Sequence, residues 1–175
     1  MSRVTQSGMP PGRSSAPRWV TFGCFGTLVE GRVSSGGIRL FDDVEPMLSD
    51  LRRLGYRLAV LTNSDDGRFE AAHRMFRRPF DLFVTAARIR AQKPSHWHFR
   101  AFELLTRVER CGWVHVASSR HHDIAPATAF GLSSVWLDRA RTAHHASDAR
   151  RVDTAHEVAD AVAGLFDRAE AAIGA

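Results

Sequence analysis

The sequence predicts an α/β domain of three layers, with a mostly parallel five-stranded sheet held between helices. Short β-branched and aromatic runs alternate with segments whose apolar residues fall at helical spacing. Breaks rich in Gly, Ser and Pro separate most of these segments. The length of 175 residues, with 44% hydrophobic and 25% charged residues, suits one globular domain that needs no disulfide or metal staple.

Residues 1–17 are rich in Ser, Gly and Pro, show no hydrophobic period, and read as a disordered leader to a single domain over 18–175. Trp19 to Phe22 reads as the first strand, ended by Gly23 and Gly26. Arg32 to Gly37 reads as a loop, because Ser34-Ser35-Gly36-Gly37 has no apolar residue. Val44, Met47, Leu48, Leu51 and Leu54 then mark a helix that Gly55 stops. Arg57 to Leu61 is the second strand. Asp66 to Phe76 is a helix with an acidic residue in its first turn, where the helix dipole favours one. Asp81 to Thr85 is the third strand, and Ser95 to Val108 a helix with Ser95 as its N-cap. Trp113 to Ala117 is the fourth strand, Ile124 to Phe130 a short helix closed by Gly131, and Ser134 to Leu137 the fifth strand. An amphipathic helix over Ala155 to Ala172 completes the pattern. This alternation makes βαβ units, whose ligands sit beyond the carboxyl ends of the strands.

Charge and composition exclude several classes. The formal net charge is +5, but the arginines, such as Arg74, Arg77 and Arg78 or Arg150 and Arg151, are scattered through helical segments. No aromatic residues interleave with them as a base-stacking platform requires, so the reading is no nucleic acid. A small anionic molecule drawn in by this field is the alternative use of the charge. No apolar run is long enough for a membrane span and no signal-peptide pattern is present, so no membrane partner and a cytoplasmic location are expected. The two cysteines, Cys24 and Cys111, suggest neither an oxidised scaffold nor a zinc module. The Arg- and Ala-rich usage fits a bacterial genome of high GC content.

Four polar clusters fall at strand ends: Gly23-Cys24-Phe25-Gly26-Thr27-Leu28, Thr62-Asn63-Ser64, Lys93-Pro94, and Ser118-Ser119-Arg120-His121-His122-Asp123. Singly, each has a plain structural explanation as a turn, a surface residue or a helix cap. In this order along one βαβ series, they resemble the four motifs of the haloacid dehalogenase superfamily, over Trp19 to Arg139. The resemblance implies a Rossmann-like core with Thr27, Thr62, Asn63, Lys93, Ser118, Ser119, Arg120 and Asp123 around the ligand. Phosphatases of the family hold an acid at the position of Phe25, so Phe25 makes the chain more similar to the dehalogenase-type branch.

The pattern breaks at its centre. The family's nucleophilic aspartate corresponds to Gly23, which has no side chain with which to form the covalent ester. Cys24 is adjacent, but neighbouring strand residues point to opposite faces, so it should be a buried structural thiol. The family's Mg²⁺ site would keep only Asp123, too little to hold a hard cation tightly, so no cofactor beyond weak Mg²⁺ is expected. Without an aspartate at 23, the expected partner of Lys93 is Asp123. The short intervals from Thr27 to Thr62 and from Thr62 to Lys93 leave no room for a cap domain, so the site should be open or borrow a lid from a second subunit, as in a homodimer.

Two readings of function follow, with a third that rests on the glycine itself. The one favoured by the retained polar shell is a repurposed enzyme acting on a small molecule. In it Lys93, Asp123, Thr62 and His122 carry acid–base chemistry of a cyclisation, elimination or lyase type. The other is an inactive family member that binds a ligand or a protein. A dehalogenase- or phosphatase-type hydrolase is the third, if the glycine is an introduced change. A metal on the His121-His122 pair is disfavoured, because adjacent residues rarely chelate one ion.

Overall fold

A computed structural model describes residues 16–30, 37–142 and 149–174. The expected leader over 1–17 and the loop over Arg32 to Gly37 therefore lie almost entirely outside the described residues. Eight strands and six helices follow in order: β1 (Trp19–Phe22), β2 (Val29–Glu30), β3 (Arg39–Leu40), α1 (Val44–Arg53), β4 (Arg57–Thr62), α2 (Asp66–His73), β5 (Leu82–Thr85), α3 (Ala86–Ile89), α4 (Trp97–Thr106), β6 (Trp113–Ala117), α5 (Ala125–Ala129), β7 (Ser133–Leu137), β8 (Arg150–Val152) and α6 (Val158–Ile173).

The main sheet runs β5-β4-β1-β6-β7-β8 with every pairing parallel. It has six strands rather than the expected five, a correction that rests on β8. This strand is three residues long, begins Arg150-Arg151 and has no apolar run. Short charged edges of this kind are how sheets avoid further pairing, and they leave little strand signal in a sequence. β2 and β3 form a separate two-stranded antiparallel ribbon. The fold class is otherwise the expected one.

Side-chain alternation divides the core between the two faces. Val20, Phe22, Leu58, Val60, Val114 and Val116 pack on one side with α1, α2 and α6. Trp19, Ala59, Leu61 and Trp113 pack on the other with Phe99 and Phe102 of α4 and Ala127 of α5. Burial on both faces explains why these strands read as continuous apolar runs. The exceptions are Thr21 in β1 and His115 in β6, polar residues in register with each other and wholly buried on the α4 side.

Several element ends differ from expectation. α2 stops at His73, short of Phe76, and Asp65 caps it by accepting from Arg68 N at 2.8 Å. α4 begins at Trp97, so Ser95 is not its N-cap, although Ser95 Oγ still accepts from Trp97 N at 3.3 Å. The short helix α3 was not expected; Thr85 caps it, and Arg90 closes it in the left-handed region at φ 51°. The helix expected from Ile124 is preceded by a π-turn over Arg120–Ile124, which Ser119 caps through His122 N. The final helix starts with a 3₁₀ turn over Ala155–Glu157, fixed by a Thr154–Glu157 capping box.

Chain order leaves β1 for β4 and β5 on one side, then returns to β6 on the other side of β1. That reversal opens a crevice at the carboxyl ends of β1 and β6, where open α/β sheets bind ligands.

Candidate functional site

A cavity of about 220 Å³ lies at that crevice. Its walls come from the loop after β1 (Cys24, Phe25), the end of β4 (Thr62, Asn63, Ser64), the first turn of α2 (Arg68), the segment before α4 (Lys93) and the π-turn after β6 (Ser119, His122, Asp123). The fold brings together four stretches of chain that are far apart in sequence, around residues 24–25, 62–68, 93 and 119–123.

The central contact is the ion pair between Lys93 Nζ and Asp123 Oδ1, the partner expected for this lysine. Both side chains are almost fully buried, at 4% and 8% exposure, so water gives neither charge much relief. Lys93 Nζ also donates to Leu61 O at 2.6 Å. Burial works to raise the Asp123 carboxyl, but the Lys93 charge and the contact with His115 overcome it and hold the group down at about 2. Asp123 is therefore a fixed anion at neutral pH. A general base that must pick up and release protons near neutrality needs a different value.

Asn63 fixes the lysine's backbone from both ends of its amide: Nδ2 donates to Lys93 O at 2.9 Å, and Oδ1 accepts from Lys93 N at 2.7 Å. Thr62 Oγ1 lies 3.0 Å from Ser64 Oγ and accepts from Ser64 N at 3.2 Å. Ser119 Oγ sits 3.2 Å from His122 Nδ1.

Beneath the cavity runs a buried polar chain that the motif reading did not include. Trp113 Nε1 donates to Thr21 Oγ1 at 2.8 Å, and Thr21 Oγ1 lies 2.9 Å from His115 Nδ1. His115 Nε2 is 3.4 Å from Asp123 Oδ1. Burial, opposed by Asp123, keeps the His115 ring below the usual imidazole range and hence neutral. The only assignment that satisfies every atom has the Thr21 hydroxyl donating to Nδ1 and Nε2–H pointing at Asp123. A second buried histidine, His98 of α4, donates Nε2–H to Thr62 O at 2.9 Å, and its Nδ1 has no partner among the described residues. Burial, aided by the Lys93 charge, lowers His98 to about 4.

The sequence carried a signal for the first of these. A polar residue in the middle of an otherwise apolar strand occurs once in β1 and once in β6, at Thr21 and His115. Without the register that pairs them, neither residue points to the site. Arg68 was missed for a similar reason, because it looks like one solvated helix arginine among many.

Other expected residues do not reach the cavity. Thr27 is buried behind it, with Oγ1 3.1 Å from Ser118 Oγ and accepting from Ser118 N at 3.0 Å. Ser118 and Arg120 line a neighbouring hollow instead, where the Arg120 guanidinium lies over the Trp136 ring. The turn after β6 aims Ser119, His122 and Asp123 inward, and its neighbours therefore face away. Cys24 is a wall residue but packs with the main core, and burial pushes its thiol up to about 12. It has no thiolate with which to attack.

Position 23 is the decisive point. A Cβ there would stand 3.1 Å from Thr27 Oγ1, 3.2 Å from Ala117 Cβ and 3.3 Å from Asp123 Oδ1. The place that a side chain would enter is bordered by the Asp123 carboxylate. The donor set does not fit the Mg²⁺ that the fold implies, because the Asp123 oxygen nearest this place is shared by Lys93 and His115, and Gly23 adds no second carboxylate. Among the described residues, no group of three or more His, Cys, Asp or Glu side chains is placed to hold a metal.

A larger hollow, of about 720 Å³, lies against α1 between Leu40 and Arg78. Its charged residues already bond locally: Glu45 Oε1 accepts from Arg77 N at 2.9 Å, and Arg52 donates to Arg78 O and Pro79 O.

Arg139 joins the site to the rest of the domain. Its guanidinium bonds both oxygens of Asp43 at 2.9 Å and also donates to Thr27 O at 3.1 and 2.9 Å. Arg139→Ala is expected to lower the unfolding free energy by about 2 kcal/mol. A urea transition with an unchanged midpoint would show that other contacts hold Thr27 in place.

Comparison with solved structures settles the fold. A HAD phosphatase from Thermococcus onnurineus superposes with a TM-score of 0.64 at 26% identity, over 73% of this chain and 60% of that one. A solved L-2-haloacid dehalogenase gives 0.74 at 16% identity, over 85% of this chain and 100% of that one. The chain has the core fold of the haloacid dehalogenase superfamily. Among curated proteins, it is 28% identical over 101 residues to the (S)-2-haloacid dehalogenase of Pseudomonas sp. strain YL, and spans only 43% of that protein's length. No family model matches the chain. Among the described residues, no helix is long and apolar enough to cross a membrane.

Proposed function

We propose that this haloacid dehalogenase-fold chain holds a small molecule in the crevice between β1 and β6 and forms no aspartyl ester. One observation carries the reading. The nucleophile's position is a glycine, and the space before it faces a carboxylate already bound to Lys93 and His115. The relatives named for dehalogenase or phosphatase activity support a small-molecule ligand, and the cavity at the switch point of the sheet supports its place, but position 23 offers no group for the covalent step. The short intervals between motifs support an open site with no cap domain over it.

A second reading gives the pocket proton-transfer chemistry, as in a repurposed lyase or cyclase. His122 favours it, because its ring lines the cavity with Nδ1 set against Ser119 Oγ. Imidazole is the side chain suited to exchange protons near neutral pH. Lys93 and Asp123 then act as fixed charges that orient the ligand, and not as the acid and base themselves. No step runs through Mg²⁺ in either reading, and calorimetric titration with Mg²⁺ is expected to show no micromolar site.

The test is turnover of phosphomonoesters and 2-haloacids, with and without Mg²⁺, by the chain and by its Gly23→Asp variant. The chain itself is expected to be inert, and release of phosphate or halide above the uncatalysed rate would sink the proposal. The variant is expected to lose about 1–3 kcal/mol of stability, since its Cβ meets three close neighbours and its carboxylate confronts Asp123. An undiminished urea midpoint would show that Asp123 moves aside freely.

A further inference from the structure

We infer that the cavity reads the negative charge of a small oxyanion, a carboxylate or a phosphate, through Arg68 at its wall rather than through Lys93. The inference rests on the reading above that the crevice takes a ligand, and it names that ligand's chemistry and the residue that selects it.

The charges of the wall decide the sign. Its ionised side chains are Arg68, Lys93 and Asp123, two cations against one carboxylate. Asp123 is committed to Lys93, so the uncompensated charge belongs to Arg68. Among the described residues, no carboxylate lies within ion-pair distance of Arg68. Its guanidinium instead lies over the Phe25 ring, with Cζ 4.0 Å from the centroid. Its Nε is buried and has no hydrogen-bond partner among the described residues. A buried N–H left unpaired is costly, and a ligand oxygen would remove that cost.

The geometry also explains why arginine stands here. Stacking on Phe25 fixes the guanidinium plane, and a fixed planar fork matches the two oxygens of a carboxylate or phosphate. Phe25 and Cys24 supply an apolar wall beside the fork, while Asn63, Ser64, Ser119 and His122 offer polar atoms on other sides. The cavity, at about 220 Å³, lies below the usual range for drug-sized ligands, so the anion must be small or must leave part of its body in solvent. Lys93 is poorly placed to read charge, since its Nζ already donates to Asp123 and Leu61 O.

The test is calorimetric titration of the full chain with acetate, inorganic phosphate and neutral acetamide. At least one of the two anions is expected to bind, and acetamide is not; which anion binds distinguishes a carboxylate from a phosphate ligand. Arg68→Gln is expected to weaken that binding about tenfold or more, as loss of a charge-assisted pair does, and Arg68→Lys to weaken it less. Arg74→Gln, an exposed arginine just after α2, should leave affinity unchanged, and thermal melting of each variant checks that it is folded. Undiminished anion binding by a folded Arg68→Gln protein would overturn the inference and give the charge-reading role to another group. Failure of both anions to bind, or equal binding of acetamide, would overturn it too. The proposed function falls separately, by turnover of esters or haloacids.

Discussion

Replacing Asp123 by alanine is expected to destabilise the domain by about 3–5 kcal/mol, because it leaves the Lys93 ammonium buried without its carboxylate. The size of the effect comes from burial. At 4% exposure the ammonium recovers little hydration, and its remaining hydrogen bond is to a neutral carbonyl, Leu61 O. The same deletion removes the acceptor of His115 Nε2, so a second buried donor loses its partner. Replacing both partners together, as Lys93→Met with Asp123→Leu, is expected to restore most of the loss. Two apolar side chains of similar volume carry no desolvation penalty. Urea denaturation of the two single variants and the double variant gives the coupling, expected at about 2 kcal/mol or more. A cycle that closes near zero would show that Lys93 and Asp123 do not depend on each other. The pair would then be no strut of the site.

Acid is expected to unfold the domain in two stages, and the first belongs to the histidines. His98 has a folded value of about 4 against an ordinary 6.5, so the unfolded chain binds a proton there that the folded chain refuses. Stability is thus fully present above pH 6.5 and lost as pH falls towards 4, by about 3 kcal/mol from this one ring. His115 is shifted in the same direction and adds to the loss. The charged groups facing these rings are Lys93, which opposes protonation, and Asp123, which favours it. The second stage is Asp123 itself. Its folded value of about 2 lies below the ordinary 3.8, so its contribution of about 2 kcal/mol is present above 3.8 and lost as pH falls towards 2. Urea midpoints measured from pH 7 down to about pH 2 test both stages. A midpoint that stays constant between pH 6.5 and 4 would contradict the buried neutral assignment of His98. His98→Gln, which keeps a donor for Thr62 O but cannot titrate, is expected to flatten the first stage.

The first prediction, and the His115 and Asp123 parts of the second, rest on one arrangement, a buried polar chain from Trp113 through Thr21, His115 and Asp123 to Lys93. It runs directly beneath position 23. With no side chain there, Asp123 is the only carboxylate lining the cavity among the described residues, and both Lys93 Nζ and His115 Nε2 turn to it. The neutral histidine and the charged lysine together hold it ionised, which makes it a fixture of the fold and a poor shuttle of protons.

The order of apolar runs and glycine breaks was sufficient to determine a parallel α/β sheet, because strands buried on both faces must be apolar throughout. It also determined that no carboxylate stands at 23 and that Cys24 faces the core, since strand alternation is a local rule. The resemblance of the chain's motifs to the superfamily, and not the pattern of runs, implied that Lys93 pairs with Asp123, the acid that remains when position 23 has none. The tertiary structure alone decided what depends on register and on loop direction. β8 exists because β7 offers an edge to pair with, which no count of β-formers in Arg150–Val152 reveals. Thr21 and His115 meet because β1 and β6 align them side by side. Ser118 and Arg120 turn away from the cavity while Ser119 and His122 turn towards it, because a π-turn sets their directions. Arg68 joins the site because α2 sets its guanidinium over Phe25, a contact between residues 43 positions apart whose spacing in the chain carries no trace of it. Local periodicity is written in neighbouring residues, whereas the meeting of distant polar groups depends on how the whole sheet pairs.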